Sequence, residues 1–287
     1  MSHAAPPAPP PGVSRPAPRR PVAWLEPVLA PWKRRVLLAN LSGRELSQRY
    51  KGSALGLLWA LAGPLLQLAV YAVVFGWLLS ARFGDAGDRA MYVLELFCGI
   101  LLFGIFAEVI SRAPTLVMDK QSLVTKVAFP LELLPLVAFW AALVPAVLGM
   151  GLLVGGVWYV TGRVPWTAPL VVLPLIPLLL LTTGLSWILS AVGVYVRDTQ
   201  HAIRSAVQLL FFLTPVVWPI SMLSDEMRFW VMLNPMAQVV EWSRAVLIHG
   251  TIPDAGALLV LTVACLAVCL VGSWCFQVLR RGFADVV

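Results

Sequence analysis

Residues 131–160 read LELLPLVAFWAALVPAVLGMGLLVGGVWYV, thirty residues in which Glu132 is the only charge. A helix needs roughly 20 consecutive apolar residues to cross a bilayer, and this run exceeds that. A surface helix of a soluble protein would carry a polar face, and none is present here. Working outward, comparable runs occur at 54–80, 91–111, 168–196, 203–220 and 255–279. The expected fold is therefore all-α and polytopic, with six transmembrane helices. The run at 168–196 contains Pro169, Pro174 and Pro177 and should be kinked in its first half. Gly52, Gly56 and Ala60, and later Gly151 and Gly155, have the small-xxx-small spacing that lets helices approach closely.

Composition agrees with this reading. Of 287 residues, 60% are hydrophobic and 12% charged, too few charges to cover a soluble domain. The net charge of +7 would suit nucleic acid, but nine of the 21 basic residues lie at or before Lys51, just ahead of the first long run. That placement marks topology and headgroup contact; no nucleic-acid partner is expected. Cys98, Cys265, Cys269 and Cys275 all lie in apolar runs and read as inert thiols.

Residues 1–31 are rich in Pro, Ala and Arg and are expected to form a disordered cytoplasmic tail with no secretory signal. Residues 32–52 alternate apolar side chains with Lys33, Arg34, Arg35, Arg44 and Arg49. This segment suits an amphipathic helix lying at the membrane interface, the alternative being a basic juxtamembrane stretch. Residues 53–287 then form the transmembrane domain. With the N-terminus inside, sixteen basic residues are cytoplasmic and five are outside, so both termini are expected in the cytoplasm. Before the last span, Ser221 to Thr251 carries short apolar stretches broken at Asn234-Pro235. Two short helices in the outer leaflet fit it, either as a re-entrant pair or as a cap on the surface.

Chemistry is sparse. No Gly-Lys dipeptide occurs, so a Walker A phosphate loop is excluded. His3, His201 and His249 are scattered and give no metal-ligand spacing, so no metal site is expected. Neither a Gly-x-Ser-x-Gly elbow nor a paired-carboxylate motif is present. The span centres are nearly free of charge, which argues against coupling to protons or sodium. An integral-membrane transferase would need acid- or His-containing cavities, which the sequence lacks.

Four ordered motifs carry a resemblance. RELSQRYKGSALGLLW from Arg44 to Trp59, LVTKVAFP from Leu123 to Pro130, YVRD from Tyr195 to Asp198, and Asn234-Pro235 resemble ABC-2 type permeases that export polysaccharides. The closing FADV from Phe283 is also similar, and the likeness covers about residues 32–287. It implies the membrane subunit of an ATP-driven exporter of a lipid-linked, O-antigen-like polysaccharide in a bacterial inner membrane. An exporter of a drug or small lipid would share the architecture. The implied assembly is a homodimer with two copies of a separate ATPase, which would hold ATP and Mg; this chain would hold no cofactor.

The candidate residues follow from chemistry and resemblance together. Arg44, Arg49, Tyr50, Lys51 and Gly52 sit where the interface helix turns into the membrane, with cations for lipid phosphates and Gly for the bend. Asp119, Lys120, Gln121, Ser122 and Lys126 form a polar connection that the resemblance makes the coupling helix. Arg197 and Asp198 are placed to pair with each other and to touch the same partner. Trp59, Tyr71, Phe75, Phe211, Phe212 and Trp218 are channel-lining candidates, because sugar faces stack on rings. Trp230, Asn234 and Pro235 are assigned to an outer gate.

Overall fold

A computed structural model describes residues 32–78, 86–120 and 129–283, and every regular element among them is helical. The expected tail at 1–31 and the connection residues Gln121, Ser122 and Lys126 lie outside the described residues. The helices are α1 (Arg35–Tyr50), α2 (Trp59–Tyr71), α3 (Ala86–Arg112), α4 (Leu134–Thr161), α5 (Val172–Tyr195), α6 (Thr199–Leu213), α7 (Asp225–Met232), α8 (Pro235–Arg244) and α9 (Ala255–Leu279).

Among the described residues four helical stretches are long and apolar enough to cross a membrane: Arg89–Thr115, Leu131–Thr161, Ala168–Tyr195 and Ala255–Gly282. The other two apolar runs are built differently. α2 is 13 residues long and continues as a π-helical stretch, Ala72–Leu78. α6 has 15 residues, a rise of about 22 Å that falls short of the roughly 30 Å hydrocarbon core. The run expected at 203–220 is thus not one helix. It starts earlier, at Thr199, and stops at Thr214, whose ψ is 138°. Pro215 follows, and a residue before proline is pushed out of the α region.

α3 is the hub. Of its most apolar 18-residue stretch 72% is buried, against 22% for α9, so α3 is packed by protein while α9 presents most of its side chains outward. Phe97, Leu102, Ile105, Phe106 and Val109 of α3 form the centre of the core with Phe139 and Leu153 of α4 and Leu178 of α5. α4 ends at Gly162, whose φ of 71° lets its N–H reach the Trp158 carbonyl at 2.8 Å.

α5 and α9 pack closest of all. A Cβ on Gly184 would lie 2.6 Å from Cys269 Cα, and one on Gly272 would strike the Gly184 carbonyl. Gly193 is similarly pressed against the Pro114 carbonyl. These three glycines are pressed against the backbone of a neighbouring element. Those expected from spacing are not: Gly52, Gly56, Gly151 and Gly155 have no atom within 4 Å of a Cβ. Gly52 and Gly56 have φ of 86° and 50° and serve the turn between α1 and α2 instead.

Between α6 and α9 the chain forms α7 and α8. Ser224 caps α7, accepting from the Met227 N–H at 3.5 Å, and Asn234 caps α8, accepting from the Met236 N–H at 3.0 Å. Pro235 stands at the first helical position, where its missing N–H costs nothing. The two helices differ in burial. α7 has no buried residue, whereas α8 buries Met236, Ala237, Val239, Val240, Trp242, Ser243 and Arg244 against α3 and α5.

Candidate functional site

At one end of the bundle α1 lies across the ends of α3 and α4. Leu37, Leu41, Glu45 and Gln48 share one stripe at helical spacing, facing the end of α3 and the start of α4. Glu45 accepts from Arg112 Nη2 at 2.6 Å and from Lys120 Nζ at 3.4 Å. Arg49 pairs with Glu108, and Arg112 is also within 3.9 Å of Glu108. Five charges thereby join α1, the end of α3 and the start of the following connection. Burial alone would raise the Glu45 pKa, but the hydrogen bond and charge of Arg112, with Lys120 behind it, outweigh burial and hold it below its ordinary value.

The charged cluster borders a cavity of about 590 Å³, also lined by Arg44 and Asp119. Asp119 accepts from the Thr115 hydroxyl at 3.0 Å. Two residue sets kept apart in the sequence reading are therefore joined. Arg49 of the headgroup set and Lys120 of the coupling set are bound through Glu108, Arg112 and Glu45. Glu45 and Arg112 had no assigned part. Their signal in the sequence is charge flanking an apolar run, which says nothing of their 67-residue-distant partnership. Lys51 is exposed, and Tyr50 lines a groove with Trp59, Gln67 and Glu108. Arg197 and Asp198 are both exposed and form no ion pair with each other among the described residues. The Asp198 carbonyl instead accepts two N–H groups of the first turn of α6, from His201 at 3.1 Å and Ala202 at 3.3 Å.

The aromatic candidates fall into two groups on either side of α3. Tyr71, Phe75 and Tyr92 of α3 follow one another in a row, Tyr71 tilted against Phe75 at a centroid distance of 6.4 Å and Phe75 edge-on to Tyr92 at 5.6 Å. Phe211 meets Phe103 of α3 edge-on at 5.2 Å and Phe212 at 5.5 Å. Trp218 donates its indole N–H to the Phe212 carbonyl at 3.1 Å. A groove of about 390 Å³ separates α2 from α3, and one of about 470 Å³ separates α6 from α3. Ile100 and Gly104 line both. Phe103 and Tyr92 were missed because they lie within an unbroken apolar run.

At the other end of α3, Arg244 of α8 is 4% exposed. Its Nε donates to the Glu95 carbonyl at 3.0 Å, its Nη2 to the Val216 carbonyl at 2.9 Å and its Nη1 to Glu241 at 2.7 Å. Gly99 leaves room for it, since a Cβ there would lie 3.0 Å from Nη2. His249 pairs with Glu95 at 3.1 Å, and that hydrogen bond raises the imidazole pKa against the opposing effect of burial. Asn234 donates to the Thr214 hydroxyl at 3.0 Å, so its amide both caps α8 and ties it to the end of α6. Trp230 on α7 is exposed.

The ABC-2 type transporter family profile matches residues 37–248, most of the chain. The chain belongs to the ABC-2 type transporter family. Among its relatives is the O-antigen export system permease protein RfbA of Myxococcus xanthus, 33% identical over 88% of this chain and 96% of that protein. RfbA of Klebsiella pneumoniae is 22% identical over 88% and 95%. The polysialic acid transport protein KpsM of Escherichia coli is 24% identical over 83% and 91%. As an ABC-2 family member the chain is a membrane permease subunit of a transporter. The family match runs from Leu37 in α1 past the end of α8, and so includes the cluster at Glu45, Arg244 with Glu95 and Glu241, and both grooves beside α3.

Proposed function

We propose that this chain is the permease subunit of an ATP-driven exporter that carries a lipid-linked, O-antigen-like polysaccharide across a bacterial inner membrane. It works as a homodimer with two copies of a separate ATPase, which bind ATP and Mg. The cargo rests on the relatives, whose names specify O-antigen and polysialic acid and whose lengths are matched almost completely. The mechanism rests on one observation, the charged cluster at Glu45, Arg49, Glu108, Arg112 and Lys120.

ATP binding in the partner displaces the connection that begins at Arg112. Because Arg112 and Lys120 both hold Glu45, the displacement carries α1 with it. α1 passes through Gly52 into α2, so its motion widens or narrows the groove between α2 and α3. In the dimer the aromatic grooves beside α3 form the translocation path, where rings hold sugar faces weakly enough for sliding. α2 with its π-helical extension, and α6 together with residues 214–224 that continue from it, complete a set of six crossings, with both termini in the cytoplasm. Arg44 and Lys51 meet lipid phosphate near the entry, and α7 with Trp230, Asn234 and Pro235 forms the outer gate.

Deleting the gene and staining surface polysaccharide tests the reading. Loss of surface polymer with lipid-linked polymer accumulating inside is expected. Unchanged surface polymer with nothing accumulating would overturn it.

A further inference from the structure

α1 has a second contact face, unrelated to the charged cluster. Arg35, Leu38, Ala39, Ser42, Gly43 and Leu46 line a groove of about 400 Å³ closed on its other side by Trp140 and Val144 of α4. Trp140 is 43% exposed, and the exposed apolar strip continues up α4 through Val144, Val147 and Leu148. Trp140 to Leu148 rises about 12 Å, most of one leaflet's roughly 15 Å of hydrocarbon.

Arg35 brings a cation to this groove, and Lys33 and Arg34 directly precede it in the chain. Lys33, Arg34 and Arg35 are all exposed and have no acidic partner among the described residues. They stand at the start of α1, whose first turn holds no acid and no side-chain cap. A helix N-terminus carries positive potential and favours anions there, so three cations at that point repel the helix end unless an anion joins them. Trp32 beside them is 80% exposed, the position of a ring anchored at a headgroup layer.

We propose that the groove between α1 and α4 holds one acyl chain of an anionic glycerophospholipid, with its phosphate bound by Arg35 and its neighbours Lys33 and Arg34. The apolar trough takes the chain and the cations select the charge. The lipid is thus a fixed component that wedges α1 against α4, distinct from the transported polymer and from the cations at Arg44 and Lys51.

Native mass spectrometry of the detergent-purified permease with its ATPase tests this, using palmitoyl-oleoyl phosphatidylglycerol or the matching phosphatidylcholine as probe. One phosphatidylglycerol per chain is expected to be retained, favoured over phosphatidylcholine by about fivefold per cation engaged. Arg35→Gln is expected to lower that preference by about fivefold while lipid remains bound. Gly43→Trp fills the trough and is expected to abolish retention. Gly43→Ala, with open space at the Cβ, is the folding control and should retain lipid. Equal retention of the two lipids, or retention in Gly43→Trp, would overturn the proposal. So would loss of the ATPase or of a second copy of the chain from Gly43→Trp without loss of lipid, since the groove would then be a protein interface.

Discussion

Arg244 engages all three of its guanidinium nitrogens, one on the Glu241 carboxylate and two on the backbone carbonyls of Glu95 and Val216. Replacing it with Ala leaves Glu241 without its cation and takes from the Val216 carbonyl its buried donor. The expected loss is roughly 3 kcal/mol, within the range for breaking a buried pair and orphaning its acceptors. Arg244→Lys should recover only part of it, because one ammonium cannot meet three acceptors spread around a planar fork. Thermal unfolding of the purified protein in detergent checks this; an Arg244→Ala midpoint equal to wild type would refute it. In the sequence Arg244 reads only as one of five outside cations. Its Glu241 spacing of three is common on solvated helices, and its other acceptors lie 149 and 28 residues away. Asn234 was legible as a break in the apolar pattern, whereas its bond to Thr214 required the fold.

Elements were more legible than their contacts. Hydropathy summed over a window depends on composition alone, so the runs at 91–111, 131–160, 168–196 and 255–279 emerged as long helices. The run at 203–220 failed because Pro215 interrupts it, a local effect that a window average hides. Glycine spacing failed for a different reason. A small-xxx-small pattern says which residues share a face, but the choice of packed face belongs to the tertiary structure. The structure places α5 against α9 at Gly184 and Gly272, and leaves Gly151 and Gly155 open. Gly272→Ala should therefore destabilise by about 1–3 kcal/mol through overpacking against the Gly184 carbonyl. Gly151→Ala has free space and should be neutral or gain about 0.5–1 kcal/mol of helix stability. Paired melting curves of the two variants distinguish them; equal midpoints would mean that α5 and α9 can part without cost.

For the whole molecule, what matters is how motion at one end reaches the grooves beside α3. The ion pairs around Glu45 are partly exposed, with Arg112 and Lys120 side chains each 38% accessible. Such pairs contribute only about 0–1 kcal/mol each to stability, so they are poorly explained as fold determinants. They are well explained as a linkage, since among the described residues Glu45 is the carboxylate bound by both Arg112 and Lys120. Removing it leaves α1 held by apolar contacts to α4 and by Arg49 on Glu108, while the connection moves alone. Glu45→Lys should accordingly reduce polymer export roughly five- to hundredfold, the usual span of a coupling energy. The ATPase should still assemble and turn over, because the cavity side chains Arg44 and Asp119 remain in place. Combining Glu45→Lys with Lys120→Glu restores one of the two pairs and should recover part of the export. Export measured in reconstituted vesicles alongside ATP turnover separates these outcomes. Loss of turnover together with export would place Glu45 in ATPase docking, and unchanged export would remove the charged cluster from the coupling path.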